Sequence, residues 1–120
     1  MRETGRGALS ADLTERLPVA LRHALDHPCR RQILRALRED GELSATGLRG
    51  RGCTTCTLSC VTYHLGVLVE AGLARRQTTG SVRGRLEYAF TAVLGGQPAV
   101  VDVLQATAAA DGLRPEPAQA

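Results

Sequence analysis

The chain has 120 residues, enough for one domain with a modest core. Aromatic residues make up only 2% of it and its net charge is +3, so the core must come from Leu, Val, Ile and Ala, a composition that favours helices over sheets. No apolar run follows the N-terminal charges and no stretch nears the roughly 20 apolar residues of a membrane span. A secretory leader and a membrane partner are therefore not expected.

A cytoplasmic location is expected, and with it reduced thiols rather than a disulfide framework for the 4 cysteines. Residues 1–11 (MRETGRGALSA) and 111–120 (DGLRPEPAQA) lack periodicity and read as disordered tails around one folded domain, 12–110. From 13 to 25, Leu13, Leu17, Leu21, Ala24 and Leu25 recur at helical spacing, and Pro18 marks where the ordered helix begins. In DHPCRRQILRALRED, Asp26 suits an N-cap and Pro28 an early turn. Cys29, Ile33 and Leu37 then form a stripe that Gly41 ends. On that stripe Cys29 reads as a small buried apolar residue.

SATGLRGR (44–51) predicts one short helix. CTTCTLSC (53–60) then leads into a helix with the stripe Leu58, Val61, Leu65, Leu68 and Val69, closed by Gly72. ARRQTT reads as a strand, GSVRG as a turn, and RLEYAF alternates Leu86, Tyr88 and Phe90 against Arg85, Glu87 and Ala89, a period-2 hairpin with an arginine-bearing tip. After Gly95-Gly96, PAVVDVLQATAAA predicts a last helix with Val100, Val101, Leu104 and Ala108 on one side. Residues 49–90 carry six arginines against Glu70 and Glu87, a net of +4, while 91–120 carry a net of −2. The basic middle points towards an anionic partner. All 15 basic residues are arginine, which suits bidentate phosphate and guanine contacts and equally fits a coding bias. The element order defines a mainly α (α+β) winged helix-turn-helix of about five helices with a two-stranded β-hairpin wing.

HPCRRQILRAL, VTYHLGVLVEAGLARR and GRLEYAF together resemble the ArsR-type winged-helix repressors, over residues 18 to 105. In that family a helix of the form HPxRxxIL precedes a recognition helix ending SxHLxxLxxAGLV, and a wing strand follows. Here Thr62 replaces the usual serine, surplus residues fall in GRGCTTC, and SATGLRGR lacks the Cys-Val-Cys pair of the founding metal site. The resemblance implies a homodimeric transcriptional repressor with its first and last helices at the dimer interface, here Leu17, Leu21, Val100, Val101, Leu104 and Ala108.

A recognition helix sets its N-terminal residues in the major groove of double-stranded DNA. With Val61, Leu65 and Leu68 facing inward, Leu58, Ser59, Thr62 and Tyr63 are left to read bases or phosphates, and Thr57 is the expected N-cap. His64 is expected to pack and to bond a phosphate or the backbone. Arg75, Arg83 and Arg85 on the wing complete the expected DNA contacts.

Cys53, Cys56 and Cys60 supply three soft ligands, enough for an arsenite-type ion or part of a zinc site, with His64, Cys29 or a partner chain as the fourth. Inert packing and redox sensing are the competing readings. Near the positive end of the helix dipole, Cys56 is expected to have a lowered pKa. Ion binding or oxidation there is expected to pull the turn and release DNA, although DNA binding itself requires no cofactor. The effector is not written in the sequence. No carboxylate–histidine pair or phosphate loop appears, so an enzyme is not expected. The alternative to a regulator is a thiol metal-binding or redox protein on a degenerate helix-turn-helix scaffold.

Overall fold

The computed structural model describes residue 15 and residues 17–51 and 56–111. Most of both tails expected from the sequence, and Cys53, lie outside the described residues. The first helix, α1 (Val19–Leu25), starts directly after Pro18 and buries Leu21, Ala24 and Leu25. Asp26 closes it rather than capping the next one, its N–H donating to the His23 carbonyl. The N-cap of α2 (Pro28–Asp40) is His27, whose Nδ1 accepts from the Cys29 N–H at 3.1 Å. Pro28 explains the shift: a residue before proline is driven to extended backbone, and His27 at φ −150°, ψ 126° already has the N-cap conformation.

A two-residue strand β1 (Glu42–Leu43) follows, then α3 (Ala45–Arg51), whose Gly47 N–H is capped by Ser44 Oγ at 3.0 Å. The next helix, α4 (Leu58–Glu70), starts at Thr57 as expected, the Cys60 N–H donating to Thr57 Oγ1 at 3.1 Å. It ends at Gly72, φ +80°, where the Leu73 N–H reaches back to the Leu68 carbonyl. Strands β2 (Ala74–Val82) and β3 (Arg85–Ala92) form the wing, and the sheet order β1-β3-β2 adds the strand that sequence patterning did not expect. Two residues are too few to show a period of 2; Leu43 is placed by its pairing with Phe90.

The wing is longer than the sequence predicts. The strand continues through Gly80, where a bulge between Thr78 and Gly80 absorbs the break, and only Arg83-Gly84 turn. Both have positive φ, 55° and 79°, the two-residue type I′ geometry that suits strand twist.

The last helix, α5 (Pro98–Thr107), buries Val100, Val103, Leu104 and Thr107. The expected stripe is thus rotated: Val103 and Thr107 replace Val101 and Ala108, which are half-buried. That rotation turns Thr107 towards Arg35 of α2, which donates to Thr107 Oγ1 at 2.6 Å and to the Leu104 carbonyl at 2.8 Å. Ile33, Leu34, Leu37, Leu48, Val61, Leu65, Leu68, Leu73, Val100, Val103 and Leu104 fill the core between the helices and the root of the sheet. Leu17, Leu21, Val100 and Leu104, expected at a dimer seam, are all buried within this one chain.

Candidate functional site

Arginines on α2 hold the helices in place. Arg30 donates to the carbonyls of Ala24 and His23, and Arg31 to that of Leu25, so the open C-terminal carbonyls of α1 find partners. Arg31 also grips Asp111 with two bonds, at 2.8 and 2.7 Å, and Arg35 Nη1 forms an ion pair with the same carboxylate at 2.8 Å. Asp111, assigned to the disordered tail by its neighbours in sequence, is therefore buried and part of the domain.

The third contact of Arg30 sets α4. Its Nη1 lies 3.2 Å from His64 Nδ1; since a guanidinium only donates, Nδ1 presents its lone pair. The His27 and His64 rings lie 4.4 Å apart. Burial, then the neighbouring His27 and Arg30, lowers the His64 pKa below its usual value. With 7% of its surface exposed, His64 packs inward, as expected from the sequence.

Opposite that inner face, α4 presents Leu58, Ser59, Thr62 and Tyr63, all exposed, with Leu58 at 44% and Tyr63 at 64%. Along one side of β3, exposure falls from Leu86 (61%) through Tyr88 (37%) to Phe90 (8%) as the strand enters the core. A groove between wing and helix is lined by Leu58, Thr62, Arg76, Leu86 and Tyr88. The Arg76 guanidinium lies 4.8 Å from the centre of the Tyr88 ring, so this arginine is held on the wing face, while Arg75 and Arg83 are exposed. The Arg85 backbone pairs with Val82; its side chain lies outside the described ones.

The basic middle is less open than its count implies. Arg51 is clamped by Asp40 and Glu39, both at 2.7 Å. Its hydrogen bond holds the Asp40 carboxyl below the usual range. The C-terminal acids of α2 thus neutralise it, while Arg49 on α3 and Arg75 and Arg83 on the wing stay exposed.

Of the expected run Cys53, Cys56 and Cys60, the first lies outside the described residues. Cys56 Sγ lies 3.0 Å from Cys29 Sγ, and both sulfurs and a His64 ring nitrogen fall within 4.8 Å of one another. Cys60 is exposed, with its thiol next to that of Cys56. Burial, with a smaller effect of the adjacent Cys60 thiol, pushes the Cys56 pKa up, against the lowering expected at a helix start. From sequence, Cys29 is placed in the core and is also offered, with His64, as a partner for the Cys56 group; its sulfur indeed lies beside that of Cys56. The available signal was the pairing of two motifs: Cys29 occupies the variable position of HPxR, whose arginine reaches the histidine of TYHL.

This is the α+β fold of a winged helix-turn-helix protein. Residues 25–77, covering α2 to the start of β2, match a family model described as a helix-turn-helix domain. No curated protein matches the chain. Among the described residues, no helix is long and apolar enough to cross a membrane.

Proposed function

We propose that the chain is a sequence-specific DNA-binding regulator, a cytoplasmic repressor that acts as a homodimer. The observation that supports this reading best is the outer face of α4. A helix capped by Thr57 carries two exposed hydroxyl residues, Ser59 and Thr62, beside Leu58 and Tyr63, and a wing with arginines stands next to it. Hydroxyls bond base edges or phosphates, Leu58 suits a thymine methyl, and the α4 amides and wing arginines suit phosphates. Two copies would present two α4 helices to half-sites one helical turn apart. For the pairing surface we assign Val19, 70% exposed on α1, with Val101 and Ala108 on α5, in place of the four residues buried in the chain's own core.

The deciding experiment is selection of duplex fragments from random DNA by reduced, metal-free protein, followed by sequencing. Enrichment of a two-fold symmetric site supports the reading, and salt-insensitive or absent duplex binding removes it. The second reading, a thiol metal or redox protein on a degenerate scaffold, draws on the 3.0 Å Cys29–Cys56 contact. It gains if the protein binds ions but no duplex.

A further inference from the structure

We propose that the groove between α1 and α4 binds a small organic cation with a flat apolar body, an aromatic amine being the simplest case. The site stands on its own residues; only its effect on DNA rests on the function proposed above. The groove encloses about 550 Å³, within the range of small-molecule sites. Ala20 and His23 on α1 form one wall, and Tyr63, Gly66, Val67 and Glu70 on α4 form the other. Positions 63, 66 and 70 follow the i, i+3, i+7 spacing of one helix face. A tyrosine ring, a bare stretch of backbone and a carboxylate therefore lie in a row. At about 1.5 Å per residue, that row is about 10 Å long.

Each member of the row is unexplained by the chain's own packing. Gly66 lies in the interior of a helix, where glycine is less stable than alanine. Neither backbone nor neighbours demand it: its φ is not positive, and a Cβ there would meet nothing within 4 Å. Its missing side chain opens the floor of the groove. Tyr63 is 64% exposed, a large ring open to stacking. Glu70 is exposed, and among the described residues no arginine lines the groove or pairs with it.

Glu70 is also disfavoured where it stands. In the last turn of α4 it meets the negative end of the helix dipole. DNA does not account for it, because a carboxylate on a helix that faces a polyanion weakens that contact. An acid opposed by its own helix and unpaired within the chain fits a cation from outside. Ala20 and Val67 suit a flat apolar body stacked on Tyr63 over Gly66, and Glu70 then takes the positive group at the far end. A neutral ligand leaves the carboxylate unpaired, and an anion is repelled by it. Thr62 and Tyr63 line this groove and also belong to the outer face of α4. A ligand stacked on Tyr63 occupies space that a duplex needs, so the two compete.

The test uses the full chain, which has no tryptophan to obscure naphthalene fluorescence. The probe is naphthylmethylamine, protonated at neutral pH, with naphthylmethanol and naphthoate as its neutral and anionic counterparts. Fluorescence anisotropy should show saturable binding of one amine per chain, weaker binding of the alcohol and none of the acid. Glu70→Gln should weaken the amine about fivefold, the upper end for an exposed ion pair, and leave the alcohol unchanged. Gly66→Ala adds a methyl that meets nothing in the chain, so it should melt no lower than the wild type and bind the amine more weakly. The proposal is overturned if the wild type does not saturate with the amine, if the probes bind alike, or if either variant binds the amine as the wild type does. On the same samples, the amine should displace the selected duplex from the wild type and do so less effectively from Glu70→Gln. Amine binding without displacement overturns the competition. Amine binding by a protein with no duplex affinity leaves the groove standing and removes the regulator.

Discussion

Asp111 carries more of the architecture than its place near the end of the sequence implies. Its carboxylate holds Arg31 and Arg35, and all three side chains are at least nine-tenths buried. Burial alone raises its pKa, but the bonds from Arg31 and then Arg35 overcome that and leave it below the usual carboxylate value. A carboxyl with a depressed folded pKa contributes stability that is full above its unfolded pKa of about 3.9 and is lost as pH falls through the folded value. Melting temperature should therefore drop with acid below about pH 4, and Asp111→Asn should flatten that part of the profile. Asp111→Ala leaves two guanidinium groups buried without their anion and should cost about 3–5 kcal/mol in chemical denaturation. A loss under about 1 kcal/mol would mean that the pair is solvated in solution. Thr62 is the corresponding test on the DNA side. Thr62→Ala should cost about 1–3 kcal/mol on the selected site and much less on random duplex, if its hydroxyl reads a base. Equal losses on both would make it a backbone contact.

At the level of elements, what the sequence made legible was whatever a regular period records. The stripes of α2 and α4, the caps at Gly41, Thr57 and Gly72, and the alternation of β3 were all readable. What was not readable depended on partners distant in sequence. The face of α5 is rotated because Thr107 meets Arg35 at 2.6 Å, and no local pattern encodes a residue 72 positions away. The bond from Arg30 to His64 is of the same kind, although the packing of His64 was expected. The wing tip was misjudged for a different reason: Gly80 looked like a turn and is the site of a bulge. Arg83 sits there at φ 55°, so alanine would strain the turn, while asparagine tolerates that conformation. Arg83→Asn should keep the hairpin, weaken binding to every duplex alike, and flatten the salt dependence by about one unit if one phosphate contact is lost. An unchanged slope, measured by titration across salt concentrations, would take the wing off the DNA.

For the whole molecule, the question is which apolar residues remain for a second copy. Leu104 is 1% exposed, so Leu104→Glu should unfold the chain rather than split a dimer. Val101 is only half-buried, and Val101→Glu should give folded monomers with poor affinity for a two-half-site operator. Sedimentation and melting curves distinguish the two: a Val101→Glu protein that is still dimeric would move the seam off α5. The geometry of the wing sets a length as well. Between Phe90, where β3 meets the core, and Arg85 at the turn, the strand spans about 17 Å at roughly 3.3 Å per residue. B-DNA advances about 34 Å per turn of 10–10.5 base pairs, so this arm covers about half a turn, or about five base pairs. On the proposed docking of two copies with α4 in the major groove, hydroxyl-radical footprints should show wing protection of minor-groove sugars about five base pairs to the side of the α4 contacts. Shortening both wing strands by two residues should pull that outer protection inward by about two base pairs while the protected bases at the centre of each half-site stay the same.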